Sequence, residues 1–395
     1  MQTRRAFLGS FGGLTVAGLA GGRPASAQST TIRIGELAAI TGPIAPYGTQ
    51  LKNTRLMAID DLNAKGGVAI GGTRQKLELV SLDGGNPAEA IKVFERLITA
   101  EKVNIVLDGS FSSVQYALGP VIKGKNAIVM WSGGNDPDTT VGIPNAFRNT
   151  FDGGTTFMKV SEAFLKKMNV KRVATYGQRG HAEFKKFVEE YLPKSPGFEV
   201  LANEWHPFGE KDFFPVLTKF KGMKLDAVIT HGVVGDSVTS LKQAREIGLF
   251  PGVLWVNQSA NAPLMIDEES RRVMEGSYES LQASTAHTTE PSARGKALFE
   301  KYAKRFGEKG FGSWAESGYD SILIIAKALE KAGTATDVEK IGAAMRDLST
   351  SDIPDLHMVY RPGKLFNKDG QAAPKIVFTQ WKDGKAVPVF ADFGL

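Results

Sequence analysis

The stretch "VNIVLDGSFSSVQYALGPVI" (103–122) is read as one strand, one turn and one helix. Val103, Ile105, Val106 and Leu107 make a short apolar run that stops at Asp108-Gly109. Such a run, without polar alternation, suits a strand buried on both faces in a parallel sheet covered by helices. Ser110, Ser112 and Ser113 fill the turn, and helical spacing predicts a helix over 113–123. Serine at a helix start has two roles open to it. It caps unpaired amides, or it lends a hydroxyl beside those amides to a bound anion.

The same unit recurs on both sides of this stretch. Upstream, "TIRIGELA" (31–38) and "KLELVSLD" (76–83) read as strands, each followed by a helical pattern. The second of those helices is announced by Asn86, Pro87 and Glu89, a cap with proline at the first position and an acid three residues on. Downstream, "AIVMW" (127–131) ends in Ser132-Gly133-Gly134-Asn135, a second small polar strand end. After "AFRNTFDGG" (146–154) the alternation restarts, with strands expected at 171–177, 198–204, 225–230 and 252–257. Two successive βα series predict an α/β protein with two parallel-sheet lobes. Helices are expected at 291–306, 314–332 and 336–348, and a hairpin at 375–390 turning on Asp383-Gly384. No low-complexity linker intervenes, so several short crossings join the lobes rather than one tether.

Composition narrows the function. The chain has no cysteine, and 42% of its residues are hydrophobic. Its start, "TRRAFLGSFGGLTVAGLAGGRPASAQ", joins Arg4-Arg5 to a glycine-rich apolar run and the small-x-small site Ala25-Ser26-Ala27. That is the form of a twin-arginine export signal over 1–27, cleaved after Ala27, with ordinary secretory export and an uncleaved anchor as the alternatives. Removing Arg4, Arg5 and Arg23 from the 48 basic residues leaves 45 against 42 acidic ones, a net charge of +3. So small a balance gives nucleic acid no electrostatic footprint. The five histidines, at 181, 206, 231, 287 and 357, lie far apart in sequence, and no metal-ligand spacing links them. No GxSxG elbow, GxGxxG or GxxxxGK[ST] opens any βα unit. These absences do not exclude an enzyme but leave it without positive evidence, and no metal or cofactor is expected.

Across residues 30–390 the sequence resembles a type I periplasmic solute-binding protein of the branched-chain amino-acid class, serving an ABC transporter. The resemblance is carried by "IRIGELAAITGPIAPYGTQ" (32–50), "LNAKGGVAIGG" with "KLELVSLDGGNPAEAI" (62–91), "DAVITHGVVGDSVTSLKQAREIGL" (226–249) and "ESGYDSILIIAKALEKAG" (316–333). It implies two Rossmann-like lobes, 28–149 with 284–350 and 150–283 with 351–395, joined by crossings near Asn149, 283 and 351. It also implies a monomeric protein in the periplasm that closes on a small amino acid or carboxylate and delivers it to a permease. A role feeding a sensor kinase or chemoreceptor is the alternative, and an exported hydrolase a more distant one. The resemblance places the ligand's carboxylate at Ser112, with Ser113, and at the loop Gly133 to Asn135. Tyr47 would cover the ligand, or stand as an ordinary half-buried tyrosine. His181, Gly232 and Gln258 would face it from the second lobe. The acid that meets an α-ammonium in this family would fall near Asn257-Gln258-Ser259, where none stands. A buried ammonium without an anionic partner costs several kcal/mol. The expected ligand is therefore an aromatic or branched aliphatic acid, unless Asp108, Asp136 or Asp236 substitutes. Trp131 and Phe111 are candidate apolar walls.

Overall fold

The computed structural model describes residues 31–394, apart from 43, 259–266, 283–291, 309 and 313. The expected export signal, His287, Ser259 and the crossing expected near 283 lie outside the described residues.

Two sheets form the frame. The first is parallel throughout, in the order Leu77–Asp83, Ile32–Ala38, Ile105–Asp108, Ile128–Trp131, Ala146–Arg148. Every residue of Ile105–Asp108 and of Ile128–Trp131 is buried, as the unbroken apolar runs require. The second sheet runs Glu199–His206, Arg172–Gln178, Ala227–His231, Leu254–Asn257, Tyr278–Gln282, all parallel. The hairpin Ile376–Lys382 and Lys385–Asp392 completes that sheet antiparallel. It turns on Asp383 and Gly384, both at positive φ, as the tight turn demands.

Numbered within its own lobe, each parallel series has the order 2-1-3-4-5. In a sheet of that order ligands settle at the switch point, beyond the carboxyl ends of strands 1 and 3. The first lobe's switch point lies between Ile32–Ala38 and Ile105–Asp108, and the second's between Arg172–Gln178 and Ala227–His231.

Helices bury both faces of the first sheet. Ile34, Ile105, Leu107 and Met130 pack with Ile322, Ile325 and Leu329 of the helix Ala315–Ala332. Val106, Val129 and Trp131 pack on the other face with Phe94 and Leu118. The second lobe centres on Phe164, Val173, Ile229, Val256 and Phe378, with the rings of Phe164 and Phe378 stacked at 4.0 Å.

Asn149 donates to the carbonyl of Ser317 at 2.7 Å, whereas Phe151 already packs in the second core. The last crossing falls later than the expected 351. Ile353, Leu356, Met358, Tyr360, Leu365, Phe366 and Ala372 all join the first core, because their apolar side chains pack beneath the helix Ala315–Ala332. The chain leaves that lobe only after Ala372. There it lies against the first crossing, Arg148 N donating to Gly370 O at 2.8 Å and Ala372 N to Arg148 O at 2.9 Å. Among the described residues no helix is long and apolar enough to cross a membrane.

Candidate functional site

The strand ends of the two sheets enclose a cleft with about 730 Å³ of space between atoms, its opening to solvent included.

The first lobe contributes Tyr47, Phe111, Ser112, Gly134, Asn135 and Trp314. A buried polar network behind them fixes the two loops. Asp108 accepts from Ser110 Oγ at 2.6 Å and from Gln115 Nε2 at 3.2 Å, and burial pushes its carboxyl above the ordinary range. The same Gln115 amide donates to Gly133 O at 2.5 Å. Arg148 donates to Gln115 Oε1 at 3.1 Å, to Asp136 O at 2.6 Å, to Gln371 Oε1 at 3.0 Å and to Thr139. Burial lowers its guanidinium to about 10. Gly134 has φ +58°, and a Cβ there would stand 2.7 Å from Gln115 Nε2, so glycine is needed on both counts.

Ser112 is not the helix cap. The helix runs Ser112–Ile122 with Phe111 at the cap position and no side-chain capping bond. Ser112 Oγ instead accepts from the amides of Asn135 and Asp136, at 3.0 and 3.1 Å. This clamps the two strand ends together and leaves the hydroxyl one proton to donate.

The second lobe contributes His181, Glu183, His231, Gly232, Val233 and Gln258, with an apolar wall of Phe151, Phe157, Phe184 and Phe187. His181 Nδ1 lies 3.2 Å, and His231 Nε2 3.8 Å, from Glu183 Oε1. The two imidazole centroids are 4.3 Å apart. Burial alone would raise the Glu183 carboxyl, but the His181 hydrogen bond and the two imidazoles hold it at about 2. Burial, with His181 beside it, pushes the His231 imidazole down to about 3. Glu183 Oε2, His231 Nδ1 and both side-chain amide atoms of Gln258 are buried with no hydrogen-bond partner among the described residues. Buried polar atoms are seldom left in that state.

The lobes touch across the cleft. The Val234 amide donates to the Tyr47 hydroxyl, whose proton burial holds to about 12. Phe111 sets its ring edge-on to His181 at 5.9 Å, and Lys186 pairs with Asp138 at 2.5 Å.

Of the residues expected from sequence, Tyr47, Ser112, Asn135, His181, Gly232 and Gln258 line the cleft. Ser113 does not, since its helical position turns it outward to solvent. Gly133 lies behind the wall, where a Cβ would meet the Trp314 ring at 2.7 Å. Trp131 is no wall of the cleft but core, its indole donating to Thr139 O at 3.1 Å. Phe111 does line it. Asp108, Asp136 and Asp236 are absent from the lining, yet an acid is present in Glu183. A ligand's ammonium would thus find an anionic partner in the cleft, contrary to the expectation from sequence. His181 and His231, far apart in sequence, are neighbours in the fold. His231 and Gly177 are register partners on adjacent parallel strands, so loops fifty residues apart open side by side. Trp314 and Glu183 were missed: one begins a distant helix, and the other reads as an ordinary acid in a helix's first turn.

A sequence profile of the periplasmic binding proteins matches residues 31–386. The chain belongs to that family. As a periplasmic binding protein it binds a solute and is not an enzyme, and it works outside the cytoplasmic membrane. It is 26% identical over 394 residues to Leu/Ile/Val-binding protein homolog 7 of Brucella abortus (strain 2308), spanning 96% of each chain. It is 25% identical over 344 residues to the leucine-, isoleucine-, valine-, threonine-, and alanine-binding protein of Pseudomonas aeruginosa, spanning 85% of this chain and 87% of that one. Among solved structures, the branched-chain amino acid transporter substrate binding protein LivJ of Streptococcus pneumoniae, in complex with isoleucine, superposes with a TM-score of 0.75. That match has 24% identity and covers 92% of this chain and 99% of the other. A solute binding protein of R. palustris in complex with benzoate gives 0.75 at 18% identity, covering 91% and 96%. These likenesses agree with the two-lobe fold of the binding protein.

Proposed function

We propose that the cleft captures a small, largely apolar solute by its carboxylate and delivers it, through hinge closure, to a permease in the inner membrane. One observation carries this reading: Ser112 and Asn135 meet at the start of the helix Ser112–Ile122 and face a wall of phenylalanines. A helix start with a free hydroxyl proton suits an anion, and the aromatic wall suits an apolar body. The relatives named for leucine, isoleucine and valine, and the benzoate complex, support the same class from outside. Glu183 returns an anionic group to the cleft, which brings amino acids into the ligand class beside plain carboxylic acids. Asn149 and the stretch after Ala372 act as hinges between the lobes. The protein acts as a monomer, exported on a twin-arginine signal that is cleaved after Ala27.

The test is a thermal-shift panel followed by calorimetry, comparing leucine, phenylalanine, 4-methylpentanoate and benzoate with their carboxamides. A ligand at a hundred times its Kd adds about 2.7 kcal/mol to stability, well within detection. At least one acid is expected to bind while its amide does not. Equal binding of acid and amide would sink the carboxylate reading.

A further inference from the structure

The second-lobe face of the cleft holds a group of side chains that carboxylate capture does not need. Donor atoms of His181, Glu183 and His231 all lie within 4.8 Å of one another. Aromatic rings pack against both imidazoles, Phe184 against His231 at 5.1 Å and Phe111, from across the cleft, against His181 at 5.9 Å. Glu183 is only 6% exposed, and its Oε2 has no partner among the described residues. A buried carboxylate oxygen without a donor marks a place where a positive partner belongs.

We infer that His181, Glu183 and His231 form a binding site for one divalent transition-metal ion, open on one side to the cleft. Two imidazoles and a carboxylate suit zinc, cobalt or nickel, whereas magnesium and calcium take oxygen donors. Ligand atoms of a tetrahedral ion with bonds of about 2 Å stand about 3.3 Å apart. The present separations of 3.2 and 3.8 Å from Glu183 Oε1 approach that spacing, and side-chain torsions supply the remaining contraction. Three protein ligands leave a fourth position, and His181, Glu183 and His231 all line the cleft, so that position faces the solute space. A carboxylate or amine donor of a solute, or a water, completes the sphere. No sequence spacing announces the site because its ligands come from the end of one strand and the turn after its neighbour.

The test uses untagged full-length protein stripped with a chelator and titrated with zinc chloride alone, then with cobalt chloride and magnesium chloride. Saturable uptake of one zinc is expected, with none of magnesium. Bound cobalt should show intense visible absorption and two paramagnetically shifted imidazole N–H signals. Glu183→Gln and His231→Ala should each weaken zinc binding about tenfold or more, because each removes one of three ligands. Their folding is checked by circular dichroism, and the cobalt signals of the unaltered protein decide the matter if a variant fails to fold. Absence of one-equivalent uptake, fewer than two shifted imidazoles, or undiminished affinity in folded variants overturns the site. The titration contains no solute, so its failure leaves the carboxylate reading standing.

Discussion

Neighbouring residues of one type hold different posts here. Ser112 joins two loops and faces the cleft, while Ser113 points to solvent. Ser112→Ala should weaken solute affinity about tenfold, the worth of one hydrogen bond to a charged group, as calorimetry would show. Unchanged affinity would remove Ser112 from the site. Glu316 provides a test of pH. It is 1% exposed on Ala315–Ala332, and its oxygens have no partner among the described residues. Burial, and then the charge of Asp320, raises its carboxyl well above the usual value. A folded pKa above the unfolded one means stability is complete below about 4.3 and is lost as pH rises through the folded value. Glu316→Gln should therefore raise the melting temperature at pH 8 by about 1 °C, about 1 kcal/mol in a protein of this size, and leave it unchanged near pH 4. Equal shifts at both pH values would show that Glu316 does not carry the effect. The serine cluster was legible because small hydroxyls at a strand end are unusual for packing. Glu183 was not, because its role depends on His231, which only the sheet brings near.

Among the elements, the strands were the most legible part, since apolar runs such as "IVLD" have no other way to be buried on both faces. Their order in the sheet was not legible from periodicity, and that order sets which loops meet. The segment 353–372 carried no periodic signal, so its place in the first core emerged only from packing. The loop after Trp131 is built tightly enough to be probed by one methyl group. Gly134→Ala should reduce stability by about 1–3 kcal/mol, from a strained φ and contact with Gln115, and should weaken solute binding with it. A denaturation curve and a calorimetric titration check both effects. Tyr47→Phe removes a hydrogen bond between lobes, worth about 0.5–1.5 kcal/mol, so affinity should fall by about two- to tenfold.

The whole molecule is two sheets of the same order set mouth to mouth. Contacts between the lobes are few and local. The Lys186–Asp138 pair is largely solvated, so Asp138→Asn should change affinity by no more than about fivefold. Solute should shrink the particle seen by solution X-ray scattering, and an unchanged radius of gyration at saturation would rule out hinge closure. The shared strand order has one more result. The helices Ser112–Ile122 and Val234–Glu246 both begin at the cleft, so each aims an amino-terminal pole, about half a positive charge, into the same gap. Like poles repel across a vacant gap and are bridged by an anion lodged between them. A carboxylate seated there is thus expected to draw the jaws together, and the matching carboxamide, of the same shape, to leave them ajar.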